Sequence, residues 1–221
     1  MHSHSDFFLL VNPRSESKIR QGITTEVIGN CGFSMAPLLP KIIDLLKKEI
    51  GALADEITWD WTAFKDYCSK LLKQGISVNV APLIGHGTLR MNVMDYENRE
   101  PTKDEMDEMK AFLAESMEAG AFGMSTGLIY TPGSYARTEE LIELAKVVFE
   151  YGGIYSSHIR NEGDQLLEAV KEAVMIGEAA SVPVEISHMK SAGRSNWGRI
   201  KDALGIIEAA RDREVDVTCD F

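Results

Sequence analysis

Five histidines and three cysteines are the side chains best suited to metal or nucleophilic chemistry in this 221-residue chain. His2-Ser3-His4 is a His-x-His pair. On an extended strand, residues two apart point to the same side, so both imidazoles could reach one metal ion. A frayed terminus fits the same residues, and the spacing alone does not choose between the two. His158 follows Ile154-Tyr155-Ser156-Ser157, and His188 follows Val184-Glu185-Ile186-Ser187. Each closes a strand-like run, one strand–helix unit from the other, so adjacent parallel strands would make them neighbours. Metal ligation and plain hydrogen bonding at a loop rim both suit that placement. Cys31 sits in Gly29-Asn30-Cys31-Gly32, just past another strand-like run. A thiolate there can ligate zinc or act as a nucleophile, and a small buried hydrophobe is the other reading. Cys68, on a helical stretch, and Cys219, inside a strand, read as core. His86, between Gly85 and Gly87, either touches the site or serves the fold. Tyr130 and Lys190 flank the same mouth. A phenol can polarise a carbonyl and an ammonium can pair with an anionic group, although both residue types are common on surfaces.

These residues need elements that gather them. Apolar, β-branched runs predict strands at 23–28, 78–84, 122–126, 154–157 closing on His158, 182–187 closing on His188, and 215–219. Amphipathic spacing predicts helices at 38–50, 61–73, 102–119, 138–151, 165–179 and 197–211. The third of these has Thr102 as N-cap and Glu105 three residues on, the signature of a capping box. Strand and helix alternate as βαβ units, which suit an open doubly wound sheet or a (β/α)8 barrel. No Gly-x-Gly-x-x-Gly opens a helix, which weakens a dinucleotide-binding reading. A complete barrel needs eight strands and about 250 residues, so the pattern reads as part of one.

Charge and cysteine usage narrow the function classes. The formal net charge is -11, so the surface is acidic and suits neither phosphate backbones nor anionic membranes. Three widely spaced cysteines do not make a disulfide framework, and a reducing, cytoplasmic compartment is expected. No apolar run reaches the roughly 18 residues of a membrane-spanning helix, and the first residues do not form a secretory signal.

Several segments, in order along nearly the whole chain, carry a family likeness: Gln21-Gly22-Ile23-Thr24-Thr25, Gly29-Asn30-Cys31-Gly32-Phe33-Ser34, Ala36-Pro37-Leu38, Gly85-His86-Gly87-Thr88-Leu89-Arg90, Gly127-Leu128-Ile129-Tyr130-Thr131-Pro132-Gly133, Ser157-His158-Ile159-Arg160-Asn161-Glu162 and Ile186-Ser187-His188-Met189-Lys190. The chain resembles the N-acyl-D-amino-acid deacylase (D-aminoacylase) branch of the amidohydrolase superfamily. The resemblance implies a TIM-type (β/α)8 barrel, here incomplete, running from the end of strand one through strand seven. It implies zinc-dependent hydrolysis of an N-acyl-D-amino acid to a carboxylate and a free D-amino acid. It implies one tight zinc site of Cys31, His158 and His188, and a second, weakly filled position of His2, His4 and Cys31, with Asp6 in its usual place after the pair. Tyr130 would polarise the scissile amide, and Lys190 would help bind the substrate carboxylate. The family's general base, an Asp ending strand eight, and its substrate-clamping Arg have no counterpart here, and neither Asp6 nor Asp220 matches that base. The small β-domain and strand eight are likewise absent. A fragment of weak or no activity is therefore expected, acting on a small molecule, with the oligomeric state left open. Other amidohydrolases, dihydroorotase-like or hydantoinase-like, are a further reading. They usually bridge two metals with a carboxylated Lys, and Cys31 argues against them. A zinc-binding remnant without catalysis is the third.

Overall fold

The β-branched and apolar runs form six strands: β1 Thr25–Ile28, β2 Asn79–Gly85, β3 Gly123–Gly127, β4 Ile154–His158, β5 Val184–Ile186 and β6 Val217–Cys219. The computed structural model describes residues 1–221, the side chain of Glu49 excepted. All five strand pairings are parallel, and the strands lie in sequence order, β1-β2-β3-β4-β5-β6. His2 extends this order with a parallel bridge to Val27, so the segment around it occupies the place before β1. The result is a curled, incomplete TIM-type barrel, as the alternation predicts.

Helices α1 Phe8–Val11, α2 Glu16–Ile19, α3 Pro40–Ile50, α4 Phe64–Gln74, α5 His86–Met94, α6 Lys103–Glu118, α7 Thr138–Glu150, α8 Leu166–Ala180 and α9 Ile200–Arg211 connect and flank the strands. The amphipathic faces of α7 and α8 bury Leu141, Leu144 and Val148, and Val170, Ala173 and Ile176, within one continuous apolar core. At the start of α6 the Glu105 amide donates to Thr102 Oγ1 at 3.3 Å, and the Thr102 amide donates to Glu105 Oε2 at 2.7 Å. Both bonds of the expected capping box are present.

Three departures from the sequence reading have physical causes. The run 182–187 gives only the strand Val184–Ile186. Pro183 has no N–H to offer a ladder, and the chain turns into a left-handed conformation at His188, with φ 38°. Helix α5 is absent from the sequence reading because Gly85-His86-Gly87 suggests a loop. Eight of its nine residues are buried, so no polar face marks its period. The short helices α1 and α2 span about one turn each and carry no readable period.

Parallel register delivers the strand ends to one rim. Gly127 of β3 pairs with His158 of β4, and Ser157 pairs with Ile186 of β5. Past the last pairs, the Ser187 amide donates to the Ser157 carbonyl at 3.0 Å and the Met189 amide to the Asp220 carbonyl at 2.8 Å. His158 and His188 are therefore fixed beside each other by backbone bonds. The close approach of β1 to β2 has its own requirement at Gly29, where φ is 74° and a Cβ would collide with the Leu83 carbonyl. Gly22 has the same left-handed backbone, φ 77°, with nothing near its Cβ position. Gly22→Ala is expected to cost about 1–2 kcal/mol, the strain alone. Gly29→Ala is expected to cost more than about 3 kcal/mol, because strain and collision combine. Urea unfolding followed by circular dichroism measures both, and equal costs would refute the close-approach argument.

Candidate metal centre

Cys31 is held by a loop with little freedom. After β1, Gly29, Cys31 and Gly32 all take left-handed backbone, with φ 74°, 53° and 79°. A cysteine in that region is uncommon and strained, and such residues concentrate at functional sites. Ser125 of β3 clamps the loop from the next strand but one. Its hydroxyl donates to the Gly29 carbonyl and accepts from the Gly32 amide at 3.0 Å. A Cβ on Gly32 would stand 2.6 Å from the Gly127 amide nitrogen, so the loop lies directly on the end of β3. Asn30 reaches the other way: its Nδ2 donates to the Ser3 carbonyl at 3.0 Å and to the Val27 carbonyl at 2.7 Å. The His2-Ser3-His4 segment is thereby tied to the loop that carries Cys31. Asp6 anchors the same corner, where its Oδ1 accepts from the Gly29 amide at 2.6 Å. Burial raises the Asp6 carboxyl to about 7, against the pull of its two backbone hydrogen bonds.

The histidines converge on this thiol. Cys31 Sγ lies 3.4 Å from His188 Nε2 and 3.7 Å from His2 Nε2. Ring centroids of His158 and His188 are 4.4 Å apart, and those of His2 and His188 are 5.2 Å apart. Two triads result, His2–His4–Cys31 and Cys31–His158–His188, with the donor atoms of each within 4.8 Å of one another. Cys31 belongs to both. His188, like Cys31, holds a positive φ, and its amide donates to Asp220 Oδ1.

The donor set suits a metal on two counts. His158 is buried, and neither of its ring nitrogens has a hydrogen-bond partner among the described residues. Glu162 Oε1 stands 3.3 Å from His158 Nε2, without the alignment of a hydrogen bond. Two orphaned nitrogens on a buried imidazole are costly, and a cation would satisfy one of them. One thiolate and two imidazoles are also ligands that suit zinc and leave a position open, whereas magnesium and calcium prefer oxygen.

Protonation favours a metal at His2, His4 and His158 and opposes it at the cysteine. Burial lowers His2 to about 4 despite the attraction of Asp220, with His4 and His188 adding to the fall. Burial, then His188, lowers His158 to about 4, with Glu162 opposing. Burial and His188 also lower His4. These imidazoles are neutral at pH 7, the form that ligates. Burial pushes the Cys31 thiol up to about 12, with Lys190 opposing and Asp220 and Glu162 adding. The thiol therefore keeps its proton until a cation displaces it.

Tyr130 is half exposed, its ring edge-on to His158 at 4.8 Å between centroids. It lines a cavity of about 360 Å³ with Phe33, Met91 and Pro132, and His4 and Cys31 border the same space. Arg160 braces the Tyr130 loop, donating to the Ser134 and Ala136 carbonyls at 3.1 and 3.0 Å while paired with Glu172 at 2.9 Å. Lys190 lies within the cluster: its Nζ is 2.5 Å from Glu162 Oε1 and 2.8 Å from His188 Nδ1. His86 points elsewhere. It is buried 2.7 Å from Glu140 Oε1, and Arg90 donates to Glu140 Oε2 at 2.6 Å. Burial works against the Glu140 carboxylate, and His86 and Arg90 outweigh it, so its pKa is lowered. His86 thus fastens α5 to α7. Cys68 and Cys219 lie outside both triads. No sequence signal marks Glu162 or Asp220, the two carboxylates in contact with these histidines. Glu162 follows His158 by four residues, but only the turn after β4 brings it back.

The protonation pattern has a measurable outcome. Zinc binding by the triad Cys31–His158–His188 should release one proton from Cys31 and none from His158. Affinity should therefore rise about tenfold per pH unit between pH 6 and 8 from the thiol alone, since both groups are then far from their shifted pKa values. Calorimetric titration in buffers of different ionisation enthalpy counts the protons, and release of none would contradict the buried-thiol state.

Known proteins share the sequence and the fold of this chain. No protein-family model matches the chain. It is 42% identical over 223 residues to the D-aminoacylase of Alcaligenes xylosoxydans xylosoxydans, covering 99% of this chain and 44% of that protein. It is 40% identical over 224 residues to the N-acyl-D-aspartate deacylase of the same organism, again covering 44% of it. A D-aminoacylase crystal structure superposes with a TM-score of 0.88 at 40% identity, covering 100% of this chain and 45% of that one. The N-acyl-D-glutamate deacylase of Bordetella bronchiseptica, solved with zinc and a phosphonate mimic of the tetrahedral intermediate, gives 0.87 at 38% identity, covering 100% of this chain and 46% of that one. The chain thus spans less than half the length of these relatives. Such identity along its whole length, on the same fold, makes the chain a homologue of the D-aminoacylases and N-acyl-D-amino-acid deacylases, in the amidohydrolase family.

Proposed function

We propose that Cys31, His158 and His188 hold one zinc ion, and that the reaction this site serves is hydrolysis of the amide of N-acyl-D-amino acids. The observation that carries the reading is His158, a buried imidazole with two unpartnered nitrogens inside a triad of ligand-type atoms spanning no more than 4.8 Å. The relatives' substrates and the zinc in the Bordetella bronchiseptica enzyme point the same way. His2, His4 and Cys31 form a second, weaker position: His4 is exposed, and His2 Nδ1 lies 3.5 Å from Asp220 Oδ2.

Held by Cys31, His158 and His188, zinc would supply Lewis acidity towards the amide carbonyl. The chain's own residues do the rest. The Tyr130 phenol, its ring packed edge-on against His158, donates a hydrogen bond to the carbonyl oxygen. The neighbouring cavity has no Lys or Arg among its described lining residues, so the uncharged acyl end enters there. A carboxylate placed in it would be left unpaired. The Lys190 ammonium, 2.8 Å from His188 Nδ1 and outside that cavity, attracts the substrate carboxylate. Arg160 keeps the Tyr130 loop in place through its two carbonyl contacts.

Turnover by this chain itself is expected to be weak. Glu162 and Asp220 are both committed to contacts with the histidines, which leaves neither free to carry a proton to the leaving amine. Binding is therefore the sharper test. A phosphonate analogue of an N-acyl-D-amino acid should bind the zinc-loaded chain more tightly than its L-enantiomer does. Chelator or Cys31→Ala should abolish that preference. Binding that is indifferent to zinc, or to the D or L form, would sink the proposal.

A further inference from the structure

Glu162 is the meeting point of three groups at the candidate centre. Its Oε1 lies 2.5 Å from Lys190 Nζ, 3.3 Å from His158 Nε2 and 3.4 Å from His188 Nδ1. The side chain is 13% exposed. Its backbone is fixed as well, since the Ala192 amide donates to the Glu162 carbonyl at 2.7 Å. That bond ties the turn that follows His158 to the turn after β5 that carries His188.

The arrangement around His188 contains a conflict. Nε2 faces the Cys31 thiol at 3.4 Å, and Nδ1 faces Lys190 at 2.8 Å. A neutral imidazole that ligates through Nε2 carries its proton on Nδ1, and that proton needs an acceptor. The Lys190 ammonium has three donors and no acceptor. Its contact with Nδ1 therefore favours the other tautomer, with the proton on Nε2, which cannot ligate. Glu162 Oε1, 3.4 Å from Nδ1, is the carboxylate placed to accept the proton that ligation requires.

We propose that Glu162 is the positioning residue that selects the metal-binding tautomer of His188, and that Lys190 leaves His188 Nδ1 when the metal binds while staying paired with Glu162. The inference rests on the zinc triad proposed above. With zinc bound, His188 Nδ1–H would donate to Glu162, and the Lys190 ammonium would keep only its pairing with Glu162. One oxygen then orients a ligand and holds a substrate-binding cation, so metal loading and carboxylate binding are coupled through it.

Zinc affinity by chelator competition, with imidazole tautomers read by long-range nitrogen–proton NMR, tests this on the full chain. Zinc should shift the wild-type His188 proton from Nε2 to Nδ1. Glu162→Gln should weaken zinc binding by about 10–100-fold, the usual effect of removing a carboxylate behind a ligating histidine. Glu162→Asp should restore part of the loss, which a purely structural role would not. Lys190→Met removes the competing donor while leaving Glu162 in place, so its zinc affinity should equal or exceed the wild type. It also serves as the deciding variant should Glu162→Gln not fold. Wild-type zinc binding that depends on Cys31 but is unchanged in Glu162→Gln, or reduced in Lys190→Met, overturns the role of Glu162 alone. A wild-type chain that takes up no zinc through Cys31 overturns the triad and this inference together.

Discussion

The Gly29–Gly32 loop is pinned between three strand ends, and the candidate centre depends on that confinement. Ser125 bonds it on both sides of Cys31, at Gly29 and at Gly32. Asn30 draws the His2–His4 segment onto it, and Asp6 receives the Gly29 amide. The thiol points towards His2 and His188. A cysteine held at φ 53° would be a needless strain if it only filled core volume. The same confinement explains why glycine stands at 29 and 32, where the backbones of β2 and β3 come too close for any side chain.

Parallel register supplies the other half of the geometry. Strands in sequence order send every C-terminal end to one rim, so His158 and His188, thirty residues apart, become neighbours without any contact between their own helices being needed. Electrostatics then set the state of the site. Burial keeps His2 and His158 neutral and the Cys31 thiol protonated. The charge nearby belongs to Glu162, Lys190 and Asp220, which sit where they can orient or compensate whatever binds.

Much of this was legible in the sequence, because the strands carry strong β-branched runs and the ligating residue types follow them directly. Cys31, His158 and His188 could be placed at strand ends from position alone. The parts that were not legible depend on side chains whose partners are distant in sequence. Helix α5 has no polar face to betray it. His86 lies in a glycine-flanked motif that invites an active-site role, yet its partner Glu140 is on α7, and the pair serves packing. Glu162 is exposed to reading only as part of Arg160-Asn161-Glu162, and its approach to two histidines needs the turn after β4. Lys190 was expected to face substrate, and its contact with His188 could not be foreseen from a spacing of two.

The proposed zinc site takes one sulfur and two imidazoles from this chain. X-ray absorption at the zinc edge, on the chain loaded with one equivalent of zinc, tests it directly. One sulfur at about 2.3 Å with two imidazole nitrogens at about 2.0–2.1 Å is the shell expected from Cys31, His158 and His188. A shell of nitrogen and oxygen without sulfur would contradict it.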